Sequence, residues 1–412
     1  MSLQLNPSSS AIINKGRWLR LFLLLIVIAI ALYLFSDYKG PGTIALKNDK
    51  VFGFNCLRTN DLVVQEYDRE GNLWASRGMK IYMLENGKKE FTRIAHVPTG
   101  LTLLWLRDFT LVRKILLRPE CIEMVVCNSG DISALSAGKM WFLKKGEKKF
   151  SATLHLAHYG FGDQGVRNDG ILSTGDNTVY YGEYFQNSGR QEVNILRSGG
   201  IKQKWKSAFE FKPGEIRHIH AIQRDPYTGK LWVCTGDADE ESFIAWSDDE
   251  FRTIHKIGEG SQLWRVCQLV FTEDAIFFGT DNGEKEISGI YRWDKTSFDL
   301  KKLESVPGAV FFATRLKSGT IAMSTNRENM ANETDDKVRL YLTPAKGSTK
   351  VFECGSWHHK KKGFWFKYAM LRFQRNQDSQ CLAISCLNQK ELPDSELLII
   401  PEESLIEALG KN

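Results

Sequence analysis

The sequence predicts an all-β chain, a β-propeller of seven blades with six as the alternative count, preceded by one N-terminal transmembrane helix. Three observations carry this. A single apolar run, residues 21–35, stands near the N-terminus, and none of that length follows. Beyond it helical periodicity is almost absent, and short alternating runs rich in Val, Ile, Phe, Tyr and Trp recur between clusters of Gly, Asn and Asp. Those runs superpose on one another at fixed offsets, as blades do.

Leu21 to Phe35 reads LFLLLIVIAIALYLF, and with Trp18 and Leu19 it reaches the length of a bilayer core, Arg20 snorkelling to the headgroups. Trp18 and Tyr33 fit interfacial anchors. No small-x-small pair precedes a cleavage position near Phe35, Ser36 and Asp37, so the run reads as an uncleaved anchor rather than a signal peptide. Lys15, Arg17 and Arg20 precede it, whereas Asp37 and Lys39 cancel after it. The positive-inside rule then places residues 1–17 in the cytoplasm, 18–36 in the membrane, 37–42 as a linker and 43–412 outside the cytoplasm.

Half of the net charge of +6 belongs to this N-terminal stretch, and the near-balanced remainder lacks the concentrated basic stripe of a nucleic-acid binder. With 42% hydrophobic residues in all, the chain is not a disordered one. Eight cysteines do not make a readable disulfide framework. Cys121 and Cys127 share one strand-like run and stand roughly 20 Å apart at about 3.3 Å per residue, beyond the reach of a disulfide. Cys381 and Cys386 fail likewise, Cys234 and Cys267 read as core, and pairing of Cys56 or Cys354 stays open.

Residues 73–91, LWASRGMKIYMLENGKKEF, align at an offset of 59 with residues 132–150, ISALSAGKMWFLKKGEKKF. Further on, LWVCTGD (231–237), IFFGTDN (276–282) and IAMSTNR (321–327) follow at offsets of 45, which makes Thr235, Thr280 and Thr325 equivalent. Extended, the pattern gives seven units of about four strands, starting near residues 61, 121, 166, 217, 263, 309 and 364. One such sheet cannot bury both faces alone, and a ring of them can. The last unit shows only three strands, while a surplus strand at 51–56 precedes the first. That N-terminal strand is predicted to complete the last blade and close the ring.

Ser247-Asp248-Asp249-Glu250-Phe251-Arg252-Thr253-Ile254 falls on the turn between third and fourth strands of the unit starting near 217. It resembles a degenerate Asp-box, the hairpin of sialidase-like, BNR-repeat propellers, with Ser247, Asp249 and Thr253 in register and Phe251 and Ile254 replacing the usual Gly and Trp. The resemblance implies a propeller in which the box is structural, its side chains satisfying turn backbone groups. The Arg-Ile-Pro motif of true sialidases is missing, the candidate Arg167 standing in VRNDG.

In propellers, the loops leading into first strands and those joining second to third strands share one face around the central channel. The first group brings Arg167, Asp169, Arg217, His218, His220, Gln262 and Arg265 there, with Arg315 and Arg372 further along their strands. The second brings Glu183 and Tyr184, the acids from Asp237 to Glu241, Asp281 and Glu284, and Arg327 with Glu328. These second loops are minimal in the first two units and long and polar in the next four, which predicts a cleft over the third to sixth blades. Arginine forks suit carboxylates there; the alternative is pairing with acids of neighbouring blades. His218-Ile219-His220 puts two imidazoles on one strand face, a spacing that suits metal ligands, an acid/base pair or plain packing. No metal or other cofactor is expected, Ca²⁺ at Asp237, Asp239, Glu240 and Glu241 being the one ion considered. The basic aromatic loop Trp357-His358-His359-Lys360-Lys361-Lys362 should emerge on the same rim.

The predicted function is a membrane-anchored propeller that binds or processes an acidic polysaccharide, sialic-acid-like or uronic. Arg167, Asp169, Arg217, Gln262, Arg265 and Arg327 are its predicted substrate contacts. A hydrolase would draw on Glu183, Asp237 and Asp281, with Tyr181 as an alternative nucleophile. A lyase would use arginine to neutralise a uronate and His218, His220 or Tyr181 to remove the adjacent proton. The alternative is a non-catalytic module that holds a glycan or a protein partner during polysaccharide assembly or export. No P-loop, dinucleotide fingerprint, HExxH or nucleophile elbow is present, so nucleotide chemistry and serine hydrolysis lack support.

Overall fold

The computed structural model describes residues 10–98, 108–110, 122–136, 138–158, 169–199, 204–282, 288–328, 330, 333–344, 351–360, 368–375, 378–393 and 395–409. Its strands form seven antiparallel sheets. The innermost strands are Val63–Tyr67, Glu123–Val126, Ile171–Ser173, His218–Arg224, Val266–Phe271, Val310–Arg315 and Met370–Phe373, each within a few residues of a predicted unit start. They contact one another in that cyclic order, the seventh returning to the first, so the sheets are the blades of a closed seven-bladed propeller.

The recurrent sequence features have physical causes. Thr280 Oγ1 accepts the backbone N–H of Gly289 (3.0 Å) and Thr325 Oγ1 that of Arg339 (2.9 Å), while Thr235 Oγ1 accepts from Phe243 (3.3 Å); each pins the third strand to the end of the second. Blades are stitched by inner-strand glutamines. Gln223 Oε1 accepts Leu269 N–H (2.7 Å), its Nε2 donates to Leu269 O (2.9 Å), and Gln268, 45 positions on, accepts Ala313 N–H (2.9 Å). Gln65 does the same between the first two blades. In the Ser247–Thr253 hairpin, Asp249 accepts the Thr253 N–H (2.9 Å) and hydroxyl (2.8 Å), and Phe251 is fully buried. The hairpin is therefore a structural turn, the Asp249 carboxyl held down to about 2 chiefly by the Thr253 backbone bond and the Ser247 hydroxyl.

Closure uses the N-terminal segment as predicted, with one correction. The strand placed at 51–56 is a hairpin, Lys47–Val51 and Phe54–Thr59, turning at Phe52 (φ 51°) and Gly53 (φ 90°), the left-handed pair a two-residue turn requires. Its second arm pairs with Glu396–Pro401, making blade 7 five-stranded. Thr43–Ala45 adds a fifth strand to blade 1.

Ser10–Lys39 forms a helix whose apolar side chains from Trp18 to Ile30 are largely exposed. Among the described residues no helix is long and apolar enough to cross a membrane. The seven described cysteines, Cys56 and Cys354 included, are free thiols; Cys121 lies outside the described residues.

Candidate functional site

The inner strand of blade 4 carries His218 and His220, and a bulge between Ile219 and Ala221 leaves His220 opposite no partner residue on the second strand. A bulge re-aims a side chain, here toward the rim loop that follows Gly236. Gly236 is required beside it, since a Cβ there would lie 2.8 Å from the His220 ring and 3.1 Å from Arg265. The two Nε2 atoms are 3.1 Å apart. Asp237 Oδ1 completes the triangle, 3.4 Å from His218 and 3.3 Å from His220.

Around this triangle the predicted rim residues form one network. Asp237 Oδ2 accepts from Arg217 Nη1 (2.7 Å), and Oδ1 faces Arg265 Nη2 (3.3 Å). Gln262 donates to Asp237 O (2.8 Å) and Asp239 (2.9 Å). Asp281 pairs with Arg265 Nε (3.4 Å) and accepts from the Cys267 thiol (3.3 Å). Tyr184 covers His218, ring centroids 4.2 Å apart. Burial pushes His220 down to about 4. Although burial opposes it, hydrogen bonding to the two imidazoles holds Asp237 well below the usual carboxylate range.

Other predicted residues lie elsewhere. Tyr181 is buried in the apolar core between blades 2 and 3, where desolvation raises its phenol far above its ordinary range. Glu183 accepts from the backbone and side chain of Asn194, and burial raises its carboxyl. Arg327 pairs with Glu333. Arg315 is a staple, forking onto Asp378 (2.8 and 2.6 Å) and reaching Phe271 O. Of the acids considered for Ca²⁺, Asp239 is taken by Gln262, Glu241 by Arg190 and Asp237 by Arg217, each separately. Trp357 and His359 are buried rather than displayed in a loop. Arg167, Glu284, Lys361 and Lys362 lie outside the described residues.

Asp169 belongs to a second network that the sequence reading missed. Arg372 on the inner strand of blade 7 forks onto Glu123 of blade 2 (2.6 and 2.7 Å) and donates to Val64 O of blade 1 (3.1 Å). Arg375 stands between Glu66 and Glu123 at 3.8 and 3.9 Å. Burial raises Asp169 and Glu66 to about 7 each, against the pull of Arg375. Three carboxyls thus share two guanidinium groups around the axis.

No protein-family profile matches the chain, and no curated protein matches it significantly. Solved structures with the same architecture do. An oligogalacturonate lyase in complex with manganese superposes with a TM-score of 0.55 at 11% identity, covering 88% of this chain and 98% of the lyase. An oligogalacturonate lyase from Vibrio parahaemolyticus gives 0.55 at 8% identity, over 88% and 99%. A puromycin-hydrolysing peptidase from Mycobacterium tuberculosis gives 0.53 at 10% identity, over 84% of this chain and 52% of the peptidase. At these identities the likeness establishes the seven-bladed propeller fold.

Proposed function

We propose that the chain is a cell-surface propeller that binds a uronate-containing polysaccharide on the rim of blades 4 and 5 and acts on it by β-elimination. The observation that carries this is the convergence of Arg217, Arg265, Asp237 and two imidazoles at one partly open place. Arg217 is fixed through Nε to Gln186 O (2.9 Å) and through Nη1 to Asp237, while its Nη2 has no partner among the described residues and can take one carboxylate oxygen. The likeness to oligogalacturonate lyases in fold supports the uronate class.

Hydrolysis is less well served. It needs free carboxyl groups about 5 to 9.5 Å apart or an accessible tyrosine. Asp237 and Asp281 are tied to arginines, Glu183 to Asn194, and Tyr181 is buried. Elimination asks first that the uronate carboxylate be neutralised, which acidifies the adjacent C–H bond, and guanidinium groups supply that. The apolar run ahead of the propeller and its exposed side chains support a membrane anchor with the propeller outside the cytoplasm. The Ser247–Thr253 hairpin supports a place among Asp-box propellers.

Oligogalacturonate offered to the full chain in mild detergent should bind, and Arg217→Gln should weaken binding roughly 10- to 100-fold, the worth of a charged hydrogen bond. Turnover should release products with the ultraviolet absorbance of an unsaturated uronate. New reducing ends without that absorbance would replace elimination by hydrolysis, binding without products would make this a non-catalytic module, and unchanged binding by Arg217→Gln would remove the site.

A further inference from the structure

The geometry points to a metal centre: we infer that His218, His220 and Asp237 together hold one divalent transition-metal ion. His218 Nδ1 faces Phe185 O at 3.0 Å and His220 Nδ1 faces Val266 O at 3.3 Å. A carbonyl only accepts, so each Nδ1 carries its hydrogen, and the tautomer that holds a metal then turns the lone pair of Nε2 inward. Those lone pairs meet each other at 3.1 Å and Asp237 Oδ1 at 3.3 and 3.4 Å. Among the described residues no other donor faces either Nε2. One divalent ion at their centre satisfies all three atoms at once, which a single proton shared between two of them does not.

A single ion fits that point. With bonds of about 2.1 Å, separations of this size subtend about 95 to 110° at the ion, between octahedral and tetrahedral angles. Two imidazoles and one carboxylate suit zinc, manganese or iron(II) rather than Ca²⁺, which takes six to eight oxygens. The surroundings support ligation too. Both rings are oriented by backbone carbonyls through the nitrogen that does not ligate, and the far oxygen of the carboxylate is held by Arg217. His218 and His220 are buried while Asp237 is partly exposed, so the remaining coordination positions face the rim. The second cluster, His220 Nδ1 with Cys267 and Asp281, is the poorer site, because that nitrogen is already directed at Val266 O.

The assignment does not depend on the glycan reading. Where that reading also holds, the ion gives the uronate carboxylate a second partner beside Arg217, the two histidines are ligands, and the proton of the adjacent C–H bond passes to solvent at the open rim as the C–O bond to the leaving sugar breaks.

The test is metal binding by the full chain without any glycan. Chain stripped with a chelator and loaded with Zn²⁺, Mn²⁺ or Co²⁺ should retain one ion per chain after desalting, and the Co²⁺ form should show ligand-field absorption in the visible that Zn²⁺ abolishes. Asp237→Asn and His220→Asn should each weaken Zn²⁺ at least tenfold, whereas His358→Gln, on the outer strand of blade 6, should not change it. Wild-type chain that folds yet retains less than a tenth of an equivalent of all three metals would overturn the inference. So would unaltered affinity in folded Asp237→Asn. Because the wild-type measurement stands alone, a variant that fails to fold leaves it decisive, and failure to bind oligogalacturonate has no bearing on it.

Discussion

Deleting residues 43–59 while keeping the N-terminal helix is expected to leave a chain with no cooperative thermal transition. The deletion takes two strands from blade 7 and one from blade 1, so it opens the ring at the place where it is closed by chain ends rather than by a continuous blade. Val51, Phe54 and Cys56 leave the core they share with Leu398, Ile400, Leu405 and Trp357. Glu396, fully buried, loses Arg58 (3.2 Å), and Ser404 loses the Asn55 N–H (2.9 Å) that ties the C-terminal helix Glu402–Leu409 to the hairpin. Glu396–Pro401 becomes an unpaired, apolar edge, which invites aggregation. Circular dichroism during heating checks this; a sharp transition near that of the intact chain would show that six blades and a partial seventh suffice.

Arg372→Met is expected to destabilise the propeller by about 3–5 kcal/mol, the cost of leaving a buried charge without its partner. Arg372 is 1% exposed and Glu123 6%, and the fork between them crosses from blade 7 to blade 2 over blade 1. Removing the guanidinium strands Glu123 beside Glu66 and Asp169, leaving three carboxyls with Arg375 alone. The double variant Arg372→Met with Glu123→Met should recover most of the loss, because well-packed apolar groups often replace a buried ion pair at little cost. Denaturant midpoints of the three chains decide it. A single variant as stable as wild type would show the channel charges to be solvated.

The architecture was legible because blades repeat their chemistry. Thr235, Thr280 and Thr325 mark the ends of second strands, each needing a hydroxyl at one place, and such a constraint survives as a spacing. Gln223 and Gln268 obey the same interval. The 51–56 strand was misplaced because Phe52 holds a left-handed conformation that glycine or asparagine usually signals. At the site, the sequence named His218, His220, Asp237, Arg217, Gln262, Arg265 and Asp281, which the fold unites, since rim position follows from strand number. It could not tell which way they face. Tyr181 and Glu183 are two residues apart, yet Tyr181 packs between blades 2 and 3 while Glu183 bonds Asn194. Cys267 read as core because its neighbours are apolar, although its thiol meets Asp281. The channel network was hidden by distance, Arg372 and Glu123 being 249 positions apart. Its trace is one charged residue in each of the buried strands Val63–Tyr67, Glu123–Val126 and Met370–Phe373.

Amide hydrogen exchange of the full chain with and without saturating oligogalacturonate tests most directly whether the rim of blades 4 and 5 is the functional surface. Exchange should slow in residues 183–190, 215–220, 237–242 and 261–265 and stay unchanged in the rim loops of blades 1 and 2. Protection confined to those two blades or to the outer strand Phe352–His358, or no protection anywhere, would contradict the assignment.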